Sequence, residues 1–355
     1  MKHIRHRADD MVAVEHAIDS FFERSIVHAA DIDSSYERLW RTLHELIRSG
    51  GKRLRPRMTL LAYDAFGGKD SMSILPVAVA QELLHFSLLI HDDIIDRDYL
   101  RYGTSNIAGS YKAVYREHTA SDDDMTHYAH SAAMLGGDLM LSAAHRMVAS
   151  SQLSDSDKII AQDFLAHSIF EVAGGELLDT ELSFMPYREG DALKVARYKT
   201  VGYSFVNPLL AGATLAGINE NQARALRDYA IALGVAFQLV DDLLGVFGDE
   251  SSTGKSTSSD IREGKMTYIV ERAIKEMDTD QRKVFDTWFG NHTASDDGVA
   301  AVQSLLEVTG AKQATVDLVA EYVSAAHEAI DRMELDAVAA HEFVKLVKKV
   351  TERTK

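Results

Sequence analysis

Apolar residues recur at helical spacing, every third or fourth position, along nearly the whole chain. Two clear stripes are formed by Val77, Ala80, Leu83, Leu84, Leu88 and Ile95, and by Tyr229, Leu233, Ala236, Phe237, Val240 and Leu244. Alternation with a period of two, which is typical of half-buried strands, is hard to find. The pattern therefore predicts an all-α fold, with helices over residues 9–29, 33–48, 52–66, 72–97, 125–149, 155–183, 189–200, 203–216, 220–247, 265–276, 279–288, 296–308, 311–333 and 336–350.

Short polar breaks separate these helices. They lie at Gly50-Gly51, at residues 117–124, at residues 248–264 (GDESSTGKSTSSDIREG) and at residues 289–298. None is long enough to be an interdomain linker, and the sequence contains no internal repeat or low-complexity block. The chain is therefore expected to form one all-α domain over residues 1–355.

Composition narrows the class of protein. The chain has 355 residues, enough for a large core, and only four prolines, which favours long helices. Its net charge of −16 argues against nucleic-acid binding, because phosphate neutralisation needs an excess of lysine and arginine. The lack of cysteine excludes disulfides and thiolate metal sites and is compatible with a cytoplasmic location. No run of about eighteen apolar residues occurs, so no integral membrane segment is expected.

Two acidic clusters, each at the end of an apolar run, are the most informative local feature. The first is Asp92, Asp93 and Asp96 in LLHFSLLIHDDIIDRD, and the second is Asp241, Asp242 and Asp249 in GVAFQLVDDLLGVFGD. Carboxylates four residues apart on a helix share one face and repel, and the apolar flank makes their burial costly. They need a counter-charge, and a hard divalent cation, such as the magnesium that bridges carboxylates to phosphate, is the simplest one. Both clusters are expected to line one cavity.

Basic residues accompany the acidic ones. Lys52, Arg53 and Arg55 follow the Gly50-Gly51 pair, and Lys52 and Arg55 share a helix face. Arginine grips phosphate with paired hydrogen bonds and lysine acts as a point charge, so this combination fits a diphosphate substrate. The other candidate cations are Arg101, Lys199, Lys255 and Lys265. A nucleotide site is disfavoured, because the TGKS segment at 253–256 lacks the upstream glycine of a P-loop.

Taken together, these motifs resemble the trans-isoprenyl diphosphate synthases, the family that makes farnesyl, geranylgeranyl and longer prenyl diphosphates. The matching motifs, in order, are GGKxxR from Gly50, DDxxD from Asp92, KT at Lys199, FQxxDD from Phe237, and GK followed by DxxxxK ending at Lys265. Each motif alone is weak, but all of them in this order are very specific. The resemblance implies a single isoprenoid-synthase-like helical bundle with a central cavity, and a homodimer.

The resemblance also implies ligand-binding roles. Asp92 and Asp96 would hold Mg²⁺ against an allylic diphosphate with support from Asp93, and Asp241, with Asp242 nearby, would hold metal from an opposite helix. The residues implied to bind isopentenyl diphosphate are Lys52, Arg55 and His85. Those implied to bind the allylic diphosphate or shape its site are Arg101, Lys199, Thr200, Gln238, Lys255 and Lys265.

The implied reaction is electrostatic. The allylic diphosphate ionises, the double bond of isopentenyl diphosphate attacks the allylic cation, and a proton is then lost. The residues implied to act in catalysis are Asp92, Asp93, Asp96, Lys199, Asp241 and Asp242. No nucleophilic side chain is required.

Three positions depart from the family pattern. Gly245 stands where the second aspartate motif usually ends in a third aspartate, so one metal contact is missing or indirect, unless Asp249 substitutes for it. Tyr102 stands where a second arginine usually follows Arg101, which removes a cation expected on the isopentenyl side. Glu176, in GGELLD, stands where the family has glutamine and adds a negative charge near the reacting centre.

Residues one turn before the first aspartate motif bear on product length. Ser87 and Leu88 lie about 6–7.5 Å along the helix axis from Asp92. In the family, bulk at these positions stops chain growth, whereas Ser87 is small and Leu88 is of medium size. This favours a geranylgeranyl product. A farnesyl or longer product stays open, because Phe86 or another helix could form the floor.

Two other functions stay open. A terpene cyclase shares a helical fold and a DDxxD motif, but residues 241–245 lack the serine and glutamate of the cyclase second motif. A second diphosphate site at Lys52 and Arg55 would also be superfluous in a cyclase. A non-catalytic subunit of a heteromeric synthase is favoured by Gly245 and Tyr102 and disfavoured by the complete first motif.

Overall fold

The computed structural model describes residues 7–116, 118, 121–182, 184, 188–248 and 259–351. The chain divides into two compact units: the first comprises Met1–His167 with Pro208–Ile218, and the second comprises Ser168–Asn207 with Asn219–Lys355. The predicted all-α class is confirmed, because only four of the described residues lie in strands. The prediction of a single domain with a central cavity stays a prediction.

The elements follow one another along the chain with short connections. They are α1 (Arg7–Ala30), α2 (Ser34–Ser49), α3 (Leu54–Ala65), a 3-10 helix (Ser71–Ile74), α4 (Leu75–Ile95), β1 (Leu100–Arg101), β2 (Thr104–Ser105), α5 (Ile107–Tyr115), α6 (Asp122–Ala149), α7 (Asp155–Leu182), α8 (Asp191–Val195), a π-helix (Ala196–Val206), α9 (Asn207–Leu215), α10 (Glu220–Phe247), α11 (Ser259–Glu263), α12 (Tyr268–Glu276), α13 (Thr279–Trp288), α14 (Asp296–Val308), α15 (Ala311–Arg332) and α16 (Ala337–Thr351).

Helix α4, which carries the first aspartate motif, is buried along most of its length. It has a proline, Pro76, in its first turn and ends with Asp96 as its C-terminal cap. It packs closely on α6 at Gly137, where a Cβ atom would lie 2.2 Å from the ring of His91. The Ser87 hydroxyl donates a hydrogen bond to the Gly137 carbonyl at 2.8 Å. These contacts fix the orientation of α4 and of the aspartates at its end.

A short hairpin that the sequence pattern did not predict follows α4. Its strands are antiparallel, with Arg101 opposite Thr104. The turn residues Tyr102 and Gly103 both have positive φ, 54° and 74°, the combination found in type I′ turns. Two-residue strands are too short to show alternation, so only the glycine at the turn could have indicated this hairpin.

In the second unit, helix α10 carries the second aspartate motif. It begins with a capping box at Asn219. Tyr229 on this helix is fully buried and donates a hydrogen bond to the Phe343 carbonyl at 3.0 Å. Gly234 allows close contact with the π-helix, because a Cβ atom there would lie 2.7 Å from Val201. Helix α10 is thus anchored on two sides ahead of its aspartates.

Helix boundaries agree with prediction where caps and periodicity coincide. Helices α10, α13 and α14 span the predicted residues 220–247, 279–288 and 296–308. The break predicted at residues 201–202 is instead part of the π-helix, which joins α8 directly to α9. Helices α5 and α11 were not predicted, because nine and five residues give too few turns for a periodic signal.

Two helical segments are long and apolar enough to cross a membrane, judged by length and composition alone. The sequence pattern had predicted no such segment. Within Ser71–Ile95 and Glu220–Phe247, the qualifying eighteen-residue windows have mean hydropathies of 1.6 and 1.8. However, 67% and 56% of these windows is buried inside the protein. Burial on this scale is typical of core helices in a soluble protein, so we assign neither segment to a membrane.

Candidate active site

The loop between α2 and α3 carries the first group of predicted phosphate-binding cations. At its centre is Arg53, whose backbone is left-handed (φ 46°) and which is only 7% exposed. Its guanidinium donates hydrogen bonds to the Ile47 carbonyl at 2.7 Å and the Gly50 carbonyl at 3.0 Å. It also donates to Glu82 at 3.2 Å and to Glu15 at 2.8 Å. Arg53 therefore holds the loop in place through buried contacts.

The three residues predicted to bind isopentenyl diphosphate lie at this loop and on the adjoining face of α4. Lys52 is exposed and Arg55 is half-buried. Burial, followed by the charge of Arg55, holds the pKa of His85 well below its usual value, so its imidazole is neutral at neutral pH. Burial likewise raises the pKa of Glu82, and Arg55 and Arg53 oppose that rise. The loop thus presents cations beside a neutral histidine.

Tyr102, which stands where the family has an arginine, packs against the same loop. A Cβ atom at Gly50 would lie between 2.6 and 2.9 Å from three ring carbons of Tyr102, so the ring occupies the space beside this glycine. Burial raises the pKa of Tyr102, although Arg101 acts in the opposite direction. The hydroxyl is therefore protonated at neutral pH, and Tyr102 provides a neutral hydrogen-bond donor where a cation was expected.

We expect Gly50→Ala to destabilise the protein through a steric clash with this ring. The backbone at Gly50 is extended (φ −169°), a conformation that alanine adopts without strain. The cost should therefore come from displacing Tyr102, at roughly 1–3 kcal/mol. Thermal unfolding of Gly50→Ala, Tyr102→Ala and the double variant measures it. If the loss of unfolding free energy in the double variant equals the sum of the losses in the two single variants, the proposed clash is wrong.

The first aspartate motif lies beside Arg101. Asp93 is 3% exposed and accepts hydrogen bonds from both Nε, at 2.8 Å, and Nη2 of Arg101. The same Nη2 lies 3.3 Å from Oδ2 of Asp92. Burial raises the pKa of Asp93 to about 6 in spite of Arg101. Arg101, which the resemblance assigned to diphosphate binding, is thus also a counter-charge within the motif, a role that the sequence argument gave to a metal ion.

Asp92 and Asp96 bring two carboxylates together at the end of α4. Asp92 is half-buried, Asp96 is exposed, and an oxygen of one lies within 4.8 Å of an oxygen of the other. A divalent ion at about 2.1 Å from each oxygen needs them no more than about 4.2 Å apart, a separation of the same order as this bound. Carboxylate oxygens are the hard ligands that magnesium and calcium take. The donor set therefore fits a hard divalent cation.

The two residues predicted to control product length differ in burial. Ser87 is fully buried, and its hydroxyl is bonded to α6. Leu88 is half-buried. Leu88 is therefore the better placed of the two to contact a bound chain, whereas a larger side chain at Ser87 would first disturb the packing of α4 on α6.

In the second unit, Lys199 of the π-helix lies between two carboxylates of α7. Its Nζ is 2.7 Å from Oδ2 of Asp179 and 3.0 Å from Oε2 of Glu176. The two helices approach closely because a Cβ atom at Gly175 would lie only 2.2 Å from the backbone nitrogen of Lys199. The negative charge that Glu176 adds, relative to the family pattern, is thereby paired with Lys199. The predicted neighbour Thr200 is half-buried in the same π-helix.

The second aspartate motif is organised around Lys265. Asp242 is 6% exposed and accepts a hydrogen bond from Nε2 of Gln238 at 2.9 Å, while Asp241 is half-buried. Burial raises the pKa of Asp242 to about 7, against the attraction of Lys265. Burial alone would lower the pKa of Lys265, but Asp260, followed by Asp242 and Asp241, raises it above its usual value. Lys265 therefore stays charged among these three carboxylates and that of Asp179.

Some functional residues differ between the sequence argument and the structure. Lys255, predicted to bind the allylic diphosphate, and Asp249, considered as a substitute metal ligand, lie outside the described residues. Conversely, the structure draws attention to Asp179 and Asp260, to which the sequence argument gave no role, and to Arg53, which it counted only as one of three cations beside the glycine pair. All three lie inside segments quoted above, but the sequence did not show which charges they pair with.

The comparison with known families decides which chemistry these residues serve. Residues 36–306 match the model of the polyprenyl synthetase family. The chain belongs to this family. It is accordingly a prenyltransferase of the isoprenoid diphosphate synthase class, a class that uses a divalent metal.

Individual relatives agree with this assignment. This polyprenyl synthetase is 32% identical over 285 residues to a geranylgeranyl diphosphate synthase of Sulfolobus acidocaldarius, covering 78% of this chain and 81% of the relative. It is 34% identical over 273 residues to a short chain isoprenyl diphosphate synthase of Methanocaldococcus jannaschii, covering 76% and 77%. Its fold matches the crystal structure of geranylgeranyl pyrophosphate synthase from Corynebacterium glutamicum, complexed with isoprenyl diphosphate and magnesium, with a TM-score of 0.90 and 30% identity, covering 96% and 98%.

Proposed function

We propose that this protein condenses isopentenyl diphosphate with an allylic diphosphate to make geranylgeranyl diphosphate, using Mg²⁺. The observation that carries the proposal lies within the first unit. There, a carboxylate pair suited to a divalent ion (Asp92 and Asp96) coexists with a separate cationic loop (Lys52 and Arg55). One group suits a metal-bound diphosphate and the other a second diphosphate, as a condensation reaction needs and a cyclase does not. The names of the synthases to which the chain is similar support the product.

The residues proposed to act on the allylic substrate do so through charge. Asp92 and Asp96 would hold Mg²⁺ in the first unit, and the resemblance gives Asp241 the same role in the second. When bound, Mg²⁺ supplies positive charge to the departing diphosphate. Lys199 and Lys265 are already fixed between carboxylates, so their charges need little reorganisation when the C–O bond ionises. In this proposal Lys199 and Lys265 stabilise the leaving group, and Thr200 and Gln238 of the same unit shape their surroundings. The resemblance gives Arg101 of the first unit the same role.

The residues proposed to bind isopentenyl diphosphate position it for attack. Lys52 and Arg55 would bind its diphosphate, and neutral His85 can donate a hydrogen bond without adding charge. Tyr102 would contribute its hydroxyl from the hairpin turn. The proton lost after carbon–carbon bond formation would pass to the released diphosphate, so no side-chain base is required.

Product analysis tests the proposal. Purified protein with Mg²⁺ is given isopentenyl diphosphate and, separately, dimethylallyl, geranyl or farnesyl diphosphate, and the products are separated by chain length. We expect geranylgeranyl diphosphate with each primer. A farnesyl or longer product would correct the chain length only. No elongation with any primer would contradict the proposal and would favour a partner-dependent subunit.

Leu88→Phe serves as the length control in the same assay. Its added bulk is expected to shift the product toward farnesyl diphosphate without loss of the first condensation, because Leu88 is only half-buried. Ser87→Phe is the matched comparison and should instead lower the melting temperature, because Ser87 is fully buried.

Metal affinity should depend on pH through the two buried aspartates. Burial raises the pKa of Asp93 to about 6 and that of Asp242 to about 7, so both hold protons in slightly acidic solution. Ionised Asp93 and Asp242 would strengthen the negative field at the neighbouring ligands Asp92 and Asp241, so affinity for Mg²⁺ should rise with pH through about 6 and 7 and level off above about 8. Calorimetric titration with Mg²⁺ between pH 5.5 and 8.5 measures this. Asp242→Asn should remove the upper part of the dependence, and an unchanged profile in that variant would contradict the assignment.

The proposal also includes a cytoplasmic homodimer. The family resemblance supports the dimer, and the lack of cysteine together with the buried apolar helices supports the compartment. Sedimentation equilibrium of the purified chain tests the oligomeric state, and a monomer at assay concentrations would contradict it.

A further inference from the structure

Glu176, where the family has glutamine, places a second carboxylate on the ammonium group of Lys199. Nζ of Lys199 donates hydrogen bonds to Oδ2 of Asp179 at 2.7 Å and to Oε1 of Glu176 at 3.1 Å. A glutamine could accept the second of these bonds through its amide oxygen, but it carries no charge. The departure from the family pattern at position 176 therefore adds a negative charge beside Lys199 and keeps the hydrogen-bond acceptor.

The packing of two helices fixes this group of side chains. Glu176 and Asp179 are three residues apart on α7, so they share one face of the helix. A Cβ atom at Gly175 would lie 2.2 Å from the backbone nitrogen of Lys199, so α7 and the π-helix lie in direct backbone contact. The side chains of Lys199, Glu176 and Asp179 are between 17% and 22% exposed. Water therefore screens the charge of Glu176 only in part.

The charge of Glu176 opposes the binding of an anion at Lys199. Asp179 also raises the pKa of Lys265, so one carboxylate already acts on both lysines proposed to bind diphosphate. Glu176 adds a further negative charge at 3.0 Å from the Lys199 ammonium. A diphosphate carries negative charge, and it would meet this carboxylate in partly buried surroundings, where the effective dielectric constant is lower than in water. The repulsion should therefore be measurable as a loss of affinity.

We infer that Glu176 offsets the charge of Lys199 and thereby lowers the affinity of this site for the diphosphate group. This inference rests on the proposed function, in which Lys199 binds the allylic diphosphate. It makes position 176 a determinant of how tightly the allylic substrate and the released diphosphate are both bound. The determinant is the charge of the side chain, because glutamine and glutamate have nearly the same shape.

Titration with inorganic diphosphate tests this inference. Calorimetry at a fixed excess of Mg²⁺ gives Kd for the wild-type protein, for Glu176→Gln, for Lys199→Gln and for the double variant. We expect Glu176→Gln to bind diphosphate about tenfold more tightly, because a repulsive charge is removed. Lys199→Gln should bind it more weakly by a similar factor. The double variant loses one charge of each sign and should have a Kd close to that of the wild-type protein.

Glu181→Gln is the matched control for the loss of charge. Glu181 is exposed and lies five residues after Glu176 on α7, so its neutralisation should leave Kd unchanged. Damage to the fold can only weaken binding, so tighter binding by Glu176→Gln cannot come from lost structure. Melting temperatures show whether each variant is folded. Glu176→Ala, which also removes the charge, replaces Glu176→Gln if that variant unfolds.

The outcomes separate this inference from the proposed function. Unchanged or weaker diphosphate binding by Glu176→Gln would overturn the inference, and so would an equal gain of affinity in Glu181→Gln. Tighter binding confined to Glu176→Gln supports it whether or not the wild-type protein elongates a primer, because inorganic diphosphate does not react. A wild-type protein that binds diphosphate but makes no prenyl product would instead overturn the proposed function.

Discussion

Replacing Asp92 with asparagine is expected to lower kcat/KM for the allylic diphosphate by at least about 100-fold, the size usual for loss of one preorganised electrostatic group. Asparagine keeps the shape of the side chain and an oxygen for Arg101, which lies 3.3 Å away in the native protein. It removes the charge that, with Asp96, would hold the metal. Steady-state rates at several Mg²⁺ concentrations measure the effect, and the Mg²⁺ concentration for half-maximal rate should rise as well.

Asp123→Asn is the matched control for this change. Asp123 is exposed in the first turn of α6, so its neutralisation should leave the rates and the Mg²⁺ requirement unchanged. Circular dichroism confirms that both variants are folded. Wild-type rates in Asp92→Asn would mean that Asp92 does not hold the metal, and equal losses in both variants would point to net charge rather than to the site.

Replacing Arg53 with methionine is expected to destabilise the first unit by about 3–5 kcal/mol, because it removes the arginine that is hydrogen-bonded to the buried carboxylate of Glu82. Glu82 is 3% exposed and lies 3.2 Å from Arg53. The change also removes the hydrogen bonds that Arg53 donates to the carbonyls of Ile47 and Gly50. Thermal unfolding should show a melting temperature lower by roughly 10 °C.

Two further variants show whether the buried charge is the cause. In Arg53→Met with Glu82→Gln, the unpaired carboxylate is gone, so part of the lost stability should return. Lys52→Met, at an exposed cation of the same loop, should keep the native melting temperature and raise KM for isopentenyl diphosphate. If Arg53→Met has the melting temperature of the wild-type protein, Arg53 does not hold the loop. A direct contact between Arg53 and the substrate would then explain its position better.

Helix positions could be read from the sequence where local signals agree. Helix α10 combines a capping residue at Asn219, an apolar stripe and a glycine after its last residue, and its bounds were predicted correctly. Helix α11 lies in a Ser/Thr-rich segment and owes its position to the burial of Ile261 against residues such as Phe285. Such contacts join residues far apart in sequence, and no local pattern reports them.

The same limit applies to the candidate site. The motifs showed which charged residues belong to the site and which family the chain resembles. They did not show which opposite charge each of these residues pairs with. Lys199 is paired with Asp179, twenty positions earlier, and Arg53 with Glu82, twenty-nine positions later. The resemblance assigns Arg101 to substrate binding, and in the fold it also donates a hydrogen bond to Asp93. Pairings of this kind depend on how the helices pack, and the packing cannot be predicted from the sequence of one chain.

The π-helix over Ala196–Val206 makes this segment sensitive to the number of its residues rather than to their type. Its hydrogen bonds run from residue i to i+5, so it accommodates more residues per turn than an α-helix. Deleting one residue between Lys199 and Val201 would let the backbone return to α-helical bonding and keep Val201 and Phe205 against Gly234. It would also rotate Lys199 by about 100° away from Asp179. A one-residue deletion here is therefore expected to preserve the fold while abolishing the charge pairing between Lys199 and Asp179.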